Sequence, residues 1–214
     1  WNTEMLRQLS AGLVLAWGIG VGGAQAQSLP QIQEFYFDAD SAASPMLVVD
    51  AGAPDLVDQL MKQRERGRRM LDATVQLAGV ALAQGRTELG ESLYQEALST
   101  ASANSVQGRS VRWNHGWDVF RAGDVDAALN HWSEAQATLR GNASWVPTTF
   151  AMALWSQGRR DEAVKWYAAA VRTEPKQWSS TEGFAQQLPT WRDSERATLA
   201  EVHAAWVANP PAWP

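Results

Sequence analysis

From residue 70 onward, apolar and polar positions recur with a helical period, and the helical stretches come in pairs. Three segments share one grammar: a helix, a glycine-containing turn, and a second helix with alanines and an aromatic on its inner face. They run from Leu71 to Ser99, from Val111 to Leu139 and from Trp145 to Thr173. The turn glycines Gly85, Gly123 and Gly158 are 38 and 35 residues apart, close to the spacing of a paired-helix repeat. Glycine suits these turns because it takes a positive φ without strain and so ends the first helix. Small residues mark where the paired helices must approach. Ala78, Gly116 and Ala151 stand seven residues before a turn glycine, and Ala97, Ala135 and Ala170 twelve residues after one. Ala128 and Ala163 follow their glycines by five, with Gly90 in that place in the first segment. Tyr94, Trp132 and Tyr167 follow by nine and are bulky enough to fill the space between neighbouring hairpins.

The flanks follow other rules. Residues 27–54 read as an irregular acidic arm broken by Pro30, Pro45 and Pro54, with Met46–Val49 a possible short strand. Pro54-Asp55 opens a helix with the apolar stripe Leu56, Val57, Leu60 and Met61. Lys62, Arg64, Arg66, Arg68 and Arg69 then form a basic face, expected to be solvated and partly neutralised by the acidic arm. After Pro175, residues 179–182 can cap a short helix ending near Gln187, before Pro189. A last helix runs from Asp193 or Ser194 to about Ala208, with Leu199, Val202 and Trp206 on the side that closes the stack. Residues 209–214, rich in proline, are expected to be extended.

The repeats resemble the tetratricopeptide repeat family. The third fits best, through Ala151, Leu154, Gly158, Ala163, Tyr167, Ala170 and Pro175; the second fits at Gly116, Gly123, Ala128, Trp132 and Ala135. His115 and Arg112 depart from the family's usual residues, and the first repeat lacks a closing proline. The resemblance implies an all-α fold: a right-handed solenoid of about three helical hairpins over residues 55–176, closed by capping helices and a Pro/Trp tail over 177–214. It also implies that the first helix of each pair lines a concave groove. The groove residues would be Asp72, Val75, Gly79 and Leu82, then Trp113, Trp117, Phe120 and Arg121, then Trp145, Thr148, Met152 and Trp155.

Composition narrows the function. The chain has 214 residues, a net charge of −5 and no cysteine, which excludes a disulfide scaffold and thiolate chemistry. A pI near 5.2 gives no general attraction to nucleic acid or anionic lipid. At the start, Arg7, an uncharged run from Leu9 to Gly23 and Ala24-Gln25-Ala26 have the pattern of a cleaved export signal over residues 1–26, with residues 1–4 upstream of its first Met. The expected location is therefore the periplasm or the cell exterior, with no membrane span after cleavage. His115, His131 and His203 have no metal-ligand spacing, and no nucleophile elbow or phosphate loop accompanies them in the mature region. No metal or cofactor is expected. His115 reads as a structural histidine, His131 and His203 as surface residues.

Tryptophan is the unusual component, with twelve residues against five Phe and three Tyr. A groove bearing Trp113, Trp117, Phe120, Arg121, Trp145, Met152 and Trp155 has the composition of a protein-binding hot spot. Trp132, Trp166 and Trp206 fall on second helices or the last helix and read as packing. The expected function is non-catalytic binding of a polypeptide segment in an envelope setting, with Arg121 pairing an acidic group of the partner. Three alternatives stay open. The groove could be covered by the chain's own arm or tail, the arm or convex face could hold a larger complex, or the tryptophans could stack on glycan.

Overall fold

In the computed structural model, which describes residues 28–66 and 68–212, all regular structure among the described residues is helical apart from one isolated bridge. The expected leader and the last two residues of the tail lie outside the described residues. The hairpins form where the spacing predicts them. They are α2 (Met70–Ala83) with α3 (Thr87–Ala101), α4 (Val106–Arg121) with α5 (Val125–Ala137), and α6 (Val146–Ser156) with α7 (Arg160–Thr173). Successive hairpins touch through α3 on α4 and α5 on α6. Before them, α1 (Leu56–Arg66) packs on α2 and buries Leu60.

Each hairpin turns in the same way. Gly85, Gly123 and Gly158 have φ of +73°, +99° and +76°. The residue after each glycine donates its N–H back to a carbonyl five residues earlier: Arg86 to Ala81, Asp124 to Val119, and Arg159 to Leu154. These are Schellman closures, which satisfy carbonyls left over at the helix end. Asp124 then caps α5 by accepting from the Ala127 N–H.

The small residues do the spacing work expected of them. A Cβ on Gly116 would run into the Trp132 indole, and one on Gly90 would meet Leu82 at 2.6 Å. Trp132 is fully enclosed and donates its Nε1–H to the Trp113 carbonyl at 3.2 Å. After α7 come two single turns, α8 (Pro175–Trp178) and α9 (Phe184–Gln187), and then α10 (Asp193–Ala208). The last helix lies on α6 and α7 and buries Leu199 and Val202. Tyr167 ties the intervening segment down by donating its hydroxyl to the Trp178 carbonyl at 2.7 Å.

Two expectations about the flanks are corrected. Met46–Val49 is not a strand, because its main-chain groups go to the side chains of α2 and α4 rather than to another strand. The basic face after Met61 is largely exposed, as expected, but its ion pairs are not with the arm: Arg64 pairs with Glu96 of α3, and Arg69 with Asp72 of α2. The arm's own Asp40 is instead paired with Arg109 of α4.

Candidate functional site

The arm crosses the hairpins in reverse chain order, from the end of α7 to α2. Tyr36 starts the crossing, with its N–H on Thr173 Oγ1 at 3.1 Å and its ring against Trp166. Asp38 forms a parallel bridge with Ala143, just before α6. The side chain of Asp40 is almost wholly buried and accepts from Arg109 Nε at 3.0 Å and from Trp145 Nε1 at 3.1 Å. Over α4, Asn114 accepts from the Met46 N–H and donates to the Ser44 carbonyl, both at 3.0 Å. Over α2, Gln76 accepts from the N–H groups of Val48 and Val49 and donates to the Val49 carbonyl at 2.7 Å. Both amides are buried, so each is a two-way clamp on extended main chain in a place where unpaired backbone would be costly.

The expected groove residues separate into two groups. Val75, Gly79, Trp113, Trp117, Arg121, Trp145 and Thr148 line cavities beside the arm. Trp113 and Trp117 are only 6% and 4% exposed, since the arm and the segment carrying Trp191 cover them. Asp72, Leu82, Phe120, Met152 and Trp155 line neither cavity. Phe120 packs against Trp117 and Trp132, and Met152 is fully buried on α6. Trp155 faces α10, donating to Glu201 at 2.7 Å with Arg160 stacked 3.7 Å over its ring. Arg121, expected to await a partner's acid, already holds the buried Glu195 of α10 through Nε at 2.7 Å and a second nitrogen at 3.0 Å. α10 follows a segment that returns over α4, where the Thr190 carbonyl also accepts from Arg121, and the same carboxylate accepts from the Arg192 N–H at its own helix start.

The arm divides the face into two cavities. The first, about 420 Å³, is mainly apolar, with Met46 and Leu47 of the arm, Leu56 of α1, Val75 and Val80 of α2 and the two α4 tryptophans around it. Asp118 stands in its wall. Burial raises its pKa, while the hydrogen bond from Tyr94 and the nearby Arg121 and Arg192 charges oppose the rise. Gly79 leaves room for it, since a Cβ there would sit 2.5 Å from Asp118 Oδ2. The second cavity, about 510 Å³, lies between the arm, α4, α6 and the segment after α7. Sequence reasoning missed Gln76, Asn114 and Asp40 as clamp residues. The signal available was an uncharged amide embedded among apolar and small residues on each of two first helices.

The histidines form a stack rather than a ligand set. His115 lies between Tyr94, 3.9 Å away, and His131, 3.7 Å away, with its Nε2 3.0 Å from Glu91. His131 and His203 are half-buried, not surface residues as expected; His203 Nε2 bonds to the Ser179 carbonyl. Among the described residues, no group of three His, Asp or Glu is placed to hold a metal ion. Burial pushes the pKa of His115 down to about 4, with Glu134 opposing. Burial and then the neighbouring His115 push His131 to about 4, against Glu134 and Glu91. Folding therefore favours the neutral rings, and the unfolded chain binds more protons between pH 6.5 and 4. Stability is expected to fall as pH drops through that window. Asp118 and Glu91, whose pKa values burial raises, act in the opposite sense and blunt the loss. Urea unfolding at pH 7 and pH 4.5 checks this: the midpoint should drop in the native chain and drop less in His131→Phe, which keeps a ring in the stack but removes its proton site.

No helix among the described residues is long and apolar enough to cross a membrane. Compared with protein-family models, curated proteins and solved structures, the chain matches none.

Proposed function

We propose that this chain is an exported, non-catalytic binding protein of the bacterial envelope. Its three hairpins form a tetratricopeptide-like right-handed solenoid that takes an extended polypeptide segment on its tryptophan-lined face. One observation carries the reading: beside the arm, whose extended main chain Gln76 and Asn114 hold, an apolar cavity lined by Leu47, Val80, Trp113 and Trp117 remains. Those contacts are taken up by the arm's own backbone, so a partner segment is recognised through the pocket beside it. The partner segment runs alongside the arm and places an apolar side chain in the first cavity, against Leu47, Val80 and the Trp113 and Trp117 rings. Tryptophans beside a desolvated pocket are where binding energy concentrates.

A phage library of short random peptides panned on the folded full chain tests this. The enriched peptides should share an aliphatic or aromatic anchor. They should lose binding to Leu47→Asp and Ala83→Asp, two exposed wall positions whose change leaves the helical circular dichroism intact. Enriched peptides that bind both variants as well as the native chain contradict the proposal.

A second reading, in which the arm anchors a larger assembly, is favoured by Phe35 and Phe37. They stack on each other with ring centres 5.5 Å apart and remain 42% and 60% exposed at the start of the arm. Loss of a native envelope complex in Phe35→Ser/Phe37→Ser, with peptide binding unchanged, would select it.

A further inference from the structure

The second cavity differs from the first in its chemistry. Six aromatic rings contribute to its walls: Tyr36 of the arm, Trp113 and Trp117 of α4, Trp145 at the start of α6, and Trp178 and Trp191 of the segment after α7. Between them stand uncharged polar side chains, with Thr148 buried deep and Gln177 and Thr190 exposed at the rim. Glu174 is the one charged residue in the lining, so the cavity offers no fixed cation to an anionic ligand.

Three buried polar atoms on residues of this lining have no hydrogen-bond partner: Trp113 Nε1, Trp117 Nε1 and Gln187 Oε1. Buried groups of this kind are nearly always satisfied, and of the three residues Gln187 lines this cavity alone, while Trp113 and Trp117 line both cavities. Two are donors and one is an acceptor, so a molecule that satisfied them would itself both accept and donate. It must also present an apolar face to indole rings. A pyranose sugar does both, with C–H faces for the tryptophans and hydroxyls that accept and donate. The cavity, about 510 Å³, falls within the usual range of small-molecule sites, roughly 300–1,000 Å³.

We infer that this cavity, between the arm, α4, α6 and the segment 174–191, is a binding site for a neutral pyranose sugar of one or two rings. The site is separate from the polypeptide cavity on the other side of the arm, with which it shares Trp113, Trp117 and Thr190. Thr148, Thr149 and Thr173 of its polar lining lie on the third hairpin, whereas Gln177, Gln187 and Thr190 follow it and reach the face through the returning C-terminal segment.

The test uses the full chain with glucose, N-acetylglucosamine, cellobiose and chitobiose as probes, read by saturation-transfer NMR and calorimetry. At least one neutral sugar should bind with millimolar or tighter affinity. Gln187→Leu should weaken it about tenfold or more. The same variant should unfold at an unchanged or higher temperature, because it removes an unpaired buried acceptor. Gln177→Ala, at the exposed rim, provides a second variant that leaves the core untouched, and it too should weaken binding. Leu47→Asp, which blocks the first cavity, should leave sugar binding unchanged. The inference is overturned if no neutral sugar shows saturation transfer, if binding is unaltered in both Gln187→Leu and Gln177→Ala, or if only charged sugars such as glucuronate bind.

Discussion

Replacing Asp40 by alanine is expected to lower folding stability by about 3–5 kcal/mol, the usual cost of removing one partner from a buried ion pair. The side chains of Asp40 and Arg109 are 1% and 8% exposed, so solvent does little to screen the charge left behind on Arg109. The same carboxylate also serves Trp145 Nε1 and the Ala42 N–H, and both donors lose their acceptor. Glu162 provides the contrast. It pairs bidentately with Arg159, but its side chain is 49% exposed, and Glu162→Ala should cost less than about 1 kcal/mol. Denaturant unfolding of both variants measures the difference. A cost for Asp40→Ala no larger than that for Glu162→Ala would mean that the arm is not anchored through Asp40.

Trp132→Ala should be comparably severe, about 3–5 kcal/mol, as an enclosed indole is replaced by a cavity. Trp132 touches the Trp117 and Phe120 rings, donates to the Trp113 carbonyl, and fills the space left by Gly116. Gly116→Ala alone should cost about 1–3 kcal/mol by forcing that indole aside. The two effects share one cause, so the double variant should lose less than the sum of the single losses. Strict additivity in this cycle would show that the glycine and the indole are not spaced against each other as described.

How much of this was legible in the sequence depended on the range of the interaction. The hairpins were, because their determinants are local: a glycine for each left-handed turn, small residues at fixed offsets from it, and one bulky aromatic per second helix. The last helix was legible through its apolar side, and the buried His115 through its place in the repeat. The clamp on the arm was not, because it joins residues as far apart as Asp40 and Arg109 or Met46 and Asn114, and nothing in local periodicity encodes that pairing. For the same reason Arg121 read as a free cation, when its partner lies 74 residues later at Glu195. Phe120, Met152 and Trp155 were assigned to the groove by their place in the repeat. Trp155 faces α10 and Phe120 the Trp132 side, and Met152 is enclosed in the core. The acidic arm and the basic face that follows it suggested mutual neutralisation, yet Arg64 and Arg69 pair with Glu96 and Asp72, and Asp40 of the arm pairs with Arg109.

The tryptophan-lined face holds extended main chain through Asn114 and Gln76. Amide hydrogen exchange across residues 36–49 of the full chain tests it most directly. Met46, Val48 and Val49 should exchange slowly in the native protein, because their N–H groups are bonded to Asn114 and Gln76. In Asn114→Ala the Met46 amide should exchange faster, and in Gln76→Ala those of Val48 and Val49, with the protection of α6 and α7 retained. Exchange of these arm amides at unprotected rates in the native chain would show that the arm is not held there.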